Sequence, residues 1–304
     1  MSNETFLWAL GLGAGSITVL DVLDRFLTRD RRFGGERLRL GSFAFLLAVS
    51  VVFLAIQVGL TLLLPQLPDL SAWSQAQLAG WTGATDAPPL SGWRMAAIVI
   101  PTFFVGGLID YVTHRFFNHH PTFWWTHEYH HLPNDVFVVL PGLMVRPFSA
   151  FSSVAVALIT VGFAYGLVWV VGWPLADLLP ALEVMVFVQL MILMTSHSCF
   201  LRRFWAVHYV MRALLLTTPQ EHLIHHTVDR PGNYGNTTTL WDRLFGTYRD
   251  PLLPENQDRP LGLGYDQDYL GVVTFGRLRL PASWRERFQV QRYCNLAPVE
   301  RAAP

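Results

Sequence analysis

Long apolar runs separated by charged connections organise the first two thirds of the chain. Segments 41–64 and 149–171 are 24 and 23 residues long and hold no Asp, Glu, Lys, Arg or His. About 20 apolar residues suffice to cross the hydrocarbon core as a helix, so both are predicted to span a bilayer. Segment 93–113 is a third candidate, with Arg94 at one end and Asp110 at the other. A shorter, glycine-rich run before Asp21 and Asp24 gives a fourth, at 6–24. Segment 174–197 is a fifth, interrupted by Asp177 and Glu183, and either spans or dips in and returns. Segments 114–148 and 198–304 are more polar and are predicted to form a cap. The expectation is an all-α membrane protein, a single domain over 1–304, with about four to five transmembrane or re-entrant helices under a cytoplasmic helical cap. The run VFVVLPGLMV at 136–145 is broken by Pro141 and Gly142 and reads as an interfacial segment lining substrate entry.

Composition agrees with a lipid environment. Of 304 residues, 52% are hydrophobic and 14% charged, where a soluble domain carries about 25% charged. Net charge is zero, so nothing suggests a nucleic-acid partner. Every basic residue is Arg. Arg25, Arg29, Arg31, Arg32, Arg37 and Arg39 crowd the connection before segment 41–64, whereas the connection after it has no basic residue. The positive-inside rule therefore makes the first connection cytoplasmic, and segment 93–113 delivers His114 to that same side. Glu4, with no basic residue before the first apolar run, argues against a cleaved secretory leader. Cys199 and Cys294 are too few for a disulfide framework, which fits a reducing compartment. The exclusive use of Arg hints at a bacterial inner membrane; the alternative is the endoplasmic reticulum.

All eleven histidines lie between positions 114 and 226, nine of them in HRFFNHH (114–120), HEYHH (127–131) and HLIHH (222–226). In both pentads they sit at i, i+3 and i+4, one face of an α-helix. Imidazoles crowded together invite protonation and mutual repulsion, which a bound cation reverses. Imidazole suits zinc, copper, iron and nickel alike. One tetrahedral ion takes about four ligands, so eight or nine histidines imply at least two ions. Asp110, four residues before His114, is placed either to orient that ring through its second nitrogen or simply to end the membrane helix. His208, outside the clusters beside Tyr209, reads as a packed side chain. Tyr234 and Asp242 read as hydrogen-bond support for the site or as turn structure.

The order HR, HxxHH, a lone histidine and HxxHH, together with TTPQEHLIHH, NYG at 233–235 and WDRLFGTY at 241–248, resembles the fatty acid hydroxylase and sterol desaturase superfamily. The likeness covers residues 110–250. It implies a helical membrane domain under a cytoplasmic cap and a histidine-ligated centre of two iron ions, with zinc able to replace iron on purification. It also implies O2 as co-substrate and hydroxylation or desaturation of lipid C–H bonds. Position by position, His114, His127, His130, His131, His197, His222, His225 and His226 match the family's ligands. Many members carry HRxxH, whereas here Asn118 holds the second histidine's place and His119 follows. One residue turns a helical side chain by about 100°, so either the helix ends by Asn118, as Pro121 favours, or His119 reaches in from another angle. His120 is the fallback. On this reading Asn118 and Glu128 support the ligands from beside them.

His127, Glu128 and His131 also satisfy HExxH, the zinc peptidase pattern, which gives an intramembrane metalloprotease as an alternative. That site leaves the other clusters unused. A histidine-rich metal transporter is a second alternative, but transport favours ionisable groups near the bilayer midplane, and segments 41–64 and 149–171 have none. The chain shows no dinucleotide, haem or iron–sulfur motif, so oxidation requires a separate electron donor: a reductase, ferredoxin or cytochrome. The arginines at 202, 203, 277, 279, 285 and 287 read as a surface for an acidic partner or for anionic lipid headgroups. A sterol, a fatty acyl chain, a carotenoid or another isoprenoid would all reach the site through the bilayer.

Overall fold

A computed structural model describes residues 3–29, 37–63, 92–132, 150–174, 177–228, 232–257, 259 and 261–290. The connection between the second and third apolar runs, the 136–145 segment, Arg31, Arg32 and Cys294 lie outside these residues. Each apolar run becomes a helix: α1 (Asn3–Leu27), α2 (Leu40–Leu63), α3 (Gly92–Val112), α4 (Ala150–Val171) and α5 (Leu178–Ser196). Short helices follow: α6 (Trp205–Ala213), α7 (Pro219–His225), α8 (Leu240–Leu244), α9 (Tyr269–Val273) and α10 (Ala282–Arg287). No strand forms among the described residues; two isolated bridges, Leu216 to Thr238 and Thr227 to Leu261, tie loops together. Among the described residues one helix, Gly92–Asn118, is long and apolar enough to cross a membrane, with mean hydropathy 1.8. The apolar stretches Leu40–Phe53, Ala155–Val171 and Pro180–Ser196 are shorter.

The central helix α3 packs against both α4 and α5, and α1 lies on α5. Ile98, Ala164, Val168, Leu178 and Ala181 fill one layer; Phe103, Met185 and Ile192 fill the next towards the histidines. At the far end Arg94 and Asp177 pair at 3.5 Å with little exposure. The charges that interrupt the third and fifth apolar runs thus meet each other. Near the histidines Gly106 and Gly107 are buried, and Trp241 donates to the Phe104 carbonyl at 2.9 Å, so the cap segment rests directly on α3.

The first half of α2 does not stand apart from the cap. Leu46 and Phe53 enter a core shared with Tyr129, Leu132, Leu223, Leu261, Tyr269 and Val272. The Phe53 ring lies 4.8 Å from Tyr129 and 6.3 Å from Tyr269, which ties α2 to the HEYHH segment itself. Gln289 bridges back to the start of α2, accepting from the Arg39 amide and donating to the Arg37 carbonyl, both at 3.0 Å. Truncating a buried Phe costs about 3–5 kcal/mol, so Phe53→Ala should lower the unfolding midpoint of the detergent-solubilised protein and release metal. An unchanged midpoint would show that α2 does not buttress the HEYHH segment.

Candidate metal centre

The histidine-bearing end of α3 runs on to Asn118 and ends there, but not as a regular α-helix. Residues Thr113–Asn118 form a π-helical turn in which the His119 amide donates to the His114 carbonyl at 3.1 Å, a bond across five residues. A π turn takes one residue more than an α turn. It therefore absorbs the one-residue displacement in HRFFNH and stacks His119 against His114, ring centroids 5.1 Å apart. His120 falls on the exposed side, where its Nδ1 accepts from the Thr122 amide. Asn118 is buried, its Oδ1 without a hydrogen-bond partner.

The two pentads fold differently. HLIHH lies on α7 as the spacing predicts, and the preceding TTPQE explains why a helix starts there. Thr218 is the N-cap, Pro219 occupies the first turn, and Glu221 closes a reciprocal capping box, a device that satisfies two amides left bare by the helix start. HEYHH, expected on an α-helix, instead runs through two tight 3-10 turns, Trp124–Thr126 and Glu128–His131, with His127 between them at φ −126°. Pro121 and Pro133 bracket the segment, and Leu132 is extended as a residue before proline should be. Neither pentad offers its three rings to a single ion.

Two groups of four result: His114, His119, His127 and His225, and His130, His197, His222 and His226, with ligand atoms within 4.8 Å of one another in each group. All but His119 are buried. His131 sits between the groups, its ring 4.8 Å from His225 and 4.7 Å from His226. Contacts between Nε2 atoms measure 2.9 Å for His114 and His127 and 3.3 Å for His119 and His225. In the second group they are 3.3 Å (His130 and His197), 3.1 Å (His197 and His222) and 3.1 Å (His222 and His226). Nitrogens each about 2.1 Å from one ion lie about 3.0–3.4 Å apart, so these spacings are those of ligands sharing a cation.

Protonation supports the same conclusion. The Nδ1 atoms of His114, His197 and His225 face the carbonyls of Tyr234, Leu193 and Gly232, the last two at 3.0 Å. A carbonyl only accepts, so each Nδ1 carries the proton and each Nε2 offers its lone pair to the cluster. Burial pushes His119 down to about 4, and burial with neighbouring imidazoles holds His226 well below the ordinary histidine range. Neutral imidazole is the form that binds metal, and this donor set fits metal in both groups.

One loop does much of the orienting. Gly232 and Tyr234 supply the carbonyls for His225 and His114, and Asn233 between them adopts φ +50°, a conformation Asn tolerates. Asn233 binds the Glu221 and Arg249 carbonyls and the Arg249 amide. Asp242 accepts from the Tyr234 and Gly235 amides at 2.8 Å and from Thr247 Oγ1 at 2.7 Å. Gly235 must be glycine, because a Cβ there would lie 2.0 Å from the Thr238 carbonyl oxygen. Gly246, at φ +73°, lets the chain turn back after α8, so Tyr248 and Arg243 can reach Glu221 at 2.6 and 3.2 Å. The WDRLFGTY segment is thus a brace for α7 and for the NYG loop.

Asp110 meets Asn236, accepting from its amide and side chain at 2.9–3.2 Å; of the two readings offered for it, orienting His114 is not the contact seen at that ring's Nδ1, which is held at the Tyr234 carbonyl. Tyr234 acts on His114 through its backbone; its ring also lies 5.1 Å from that of His119. Glu128 accepts from Tyr265 at 2.6 Å and Gln267 at 2.8 Å, both on Oε1. Tyr265 in turn accepts from Trp124, whose ring packs on His119 and His131 at 5.1 Å. His208 is in neither group: it is buried beside Trp205 and Tyr209 and meets Thr218 Oγ1 at 2.9 Å. The sequence reading gave no role to Gly232, Asn233, Trp124 or Glu221, although Asn233 opens the NYG motif and Glu221 completes the TxxE of a capping box.

Residues 99–247 match the fatty acid hydroxylase family. A curated relative, alkylglycerol monooxygenase of Danio rerio, is 25% identical over 190 residues, 58% of this chain. The aligned region spans 38% of that relative's length. No solved structure gives a significant match.

Asp242→Asn puts a donor where a backbone amide also donates. It should loosen the Tyr234 carbonyl and weaken retention of one metal equivalent against a chelator by about tenfold or more; unchanged retention would remove Asp242 from the bracing role. Burial also holds His208 down to about 4, below its unfolded value. The unfolded chain then takes up a proton that the folded chain refuses, so stability falls as pH drops from 6.5 towards 4. Thermal midpoints of His208→Gln across that range should fall less steeply than those of the parent, and parallel profiles would show that His208 titrates normally.

Proposed function

We propose that the protein is a membrane-bound non-heme diiron oxygenase that hydroxylates an unactivated C–H bond of a lipid. The observation that carries this reading is the division of eight histidines into two four-nitrogen groups of ionic dimensions, with both pentads feeding both groups. His114, His119, His127 and His225 would hold one iron and His130, His197, His222 and His226 the other, with His131 between them. The irons supply O2 activation and removal of hydrogen from carbon. The balance is one C–H bond and O2, with two electrons and two protons, giving C–OH and water. The electrons come from a separate reductase, ferredoxin or cytochrome.

The residues of the chain position the carbon. A cavity of about 260 Å³ adjoins His114 and runs between α3, α4 and α5, with Val156, Val161, Leu182 and Met185 in its walls. Asp110, Asn118, Gln189 and Asn236 also line it, which favours a lipid with a polar group, such as a hydroxyl or ether, near the oxidised carbon over a bare mid-chain methylene. The relative's name, an alkylglycerol monooxygenase, accords with such a substrate. Helices α1 to α5 are proposed to form the membrane part of one domain over 1–304, spanning or re-entrant, with the histidines on the cytoplasmic side of a bacterial inner membrane.

Protein expressed with iron and purified anaerobically should hold two irons per chain. His130→Ala and His222→Ala should lose metal and lipid hydroxylation together while remaining in the membrane fraction. One zinc with no second ion, or full activity in either variant, would overturn the reading.

A further inference from the structure

A second cavity, of about 380 Å³, lies behind α7. Gln220, Leu223, Ile224 and Thr227 contribute to it, and at about 100° per residue they occupy the face of α7 opposite His222, His225 and His226. It is therefore separated from the metal groups by the helix that carries three of their ligands. Four arginines line it, Arg29, Arg202, Arg203 and Arg259, and no acidic side chain does. Arg203 is paired with Asp24 at 2.9 Å from the cavity's edge, and Asp21 lies within electrostatic reach of Arg202. Among the described residues the lining thus brings four guanidiniums and no carboxylate to a partly enclosed space, a composition suited to a phosphate.

Two buried amides add a second requirement. The Gln220 side-chain nitrogen donates to the Arg202 carbonyl and the Asn256 side-chain nitrogen to the Asp250 carbonyl, both at 2.8 Å. Their orientations are thereby fixed, and the oxygens Gln220 Oε1 and Asn256 Oδ1 are buried with no hydrogen-bond partner. Buried acceptors of this kind require a donor, so the ligand carries a hydroxyl beside its phosphate.

The surroundings give the source. Trp205 lines the same cavity and begins α6, whose outward face exposes Trp205, Tyr209 and Val210, flanked by Phe204 and Leu214. A contiguous apolar face with Trp and Tyr is what an interfacial helix lays into the headgroup boundary. We infer that this cavity binds the headgroup of an anionic phosphoglycerol lipid, phosphate on the arginines and glycerol hydroxyls on Gln220 and Asn256, with α6 lying in the interface beside it. The inference rests on the membrane placement proposed above and not on the oxidation chemistry.

The test uses the full chain, iron-loaded, in detergent, with thermal midpoints measured against short-chain phosphatidylglycerol, short-chain phosphatidylcholine and soluble glycerol phosphate. Phosphatidylglycerol should raise the midpoint at concentrations where the other two do not. Arg29→Gln and Arg259→Gln, both at accessible positions, should keep the parent's metal content and bind phosphatidylglycerol about tenfold more weakly each. Equal shifts from phosphatidylcholine, or unaltered shifts in the variants, would overturn the site. An equal shift from glycerol phosphate would overturn the lipid source in favour of a free phosphate. No phosphatidylglycerol shift, with an acidic ferredoxin crosslinking near Arg29 instead, would make the surface a protein dock and overturn the inference. Phosphatidylglycerol binding by a protein that hydroxylates no lipid would sink the oxygenase reading and leave this one standing.

Discussion

An imidazole aims its lone pair at a metal in a fixed direction when an acceptor holds the proton on its other nitrogen. For three of the rings that acceptor is the peptide backbone: the carbonyls of Tyr234, Leu193 and Gly232 hold the Nδ1 protons of His114, His197 and His225. A carbonyl orients a ring only as well as its own loop is held. The demand therefore propagates outward, to Asp242 on the Tyr234 and Gly235 amides, to Asn233 on three backbone groups, and to Glu221, which takes a capping amide, Tyr248 and Arg243 at once. Burial keeps Asp242 and Glu221 above the ordinary carboxylate range, and the cluster of donors around each offsets that cost. The polar residues of the cap form a rigid frame because nitrogens converging this closely tolerate little displacement.

The apolar runs were legible because an unbroken apolar pattern is exposed directly by composition; all five became helices, with ends within a few residues of those predicted. The histidines were legible as a set, since eight or nine imidazoles in three clusters have few other uses. Their grouping was not. Spacing of i, i+3, i+4 describes one face of an α-helix, and it gave the right local structure at 222–226. At 127–131 the same spacing sits between two prolines, and the backbone takes 3-10 turns that send His127 to one group and His130 to the other. The displaced histidine of HRFFNH was ambiguous for a related reason. Side-chain spacing does not distinguish a helix end from a π turn, and only the bond from the His119 amide to the His114 carbonyl does. The orienting carbonyls were invisible because backbone groups leave no signature in residue identity; the signals that remained were indirect, a glycine at 235 and an asparagine at 233.

Helix α7 stands between the histidine groups and the arginine-lined chamber. One of its faces holds His222, His225 and His226, while the opposite face closes the arginine-lined chamber. Its N-terminus is capped by Thr218, whose hydroxyl also meets His208 on α6. Gln220, one residue before Glu221, ties the helix to the Arg202 carbonyl. A seven-residue helix has too few internal hydrogen bonds to be stable alone, so its position is set by these flanking contacts. A lipid headgroup bound between Arg202, Gln220 and Asn256 would add to the same set of restraints. The bilayer surface and the metal ligands would then be registered to each other through a single turn of helix, which is the spatial constraint required for oxidising a carbon at a defined depth below that surface.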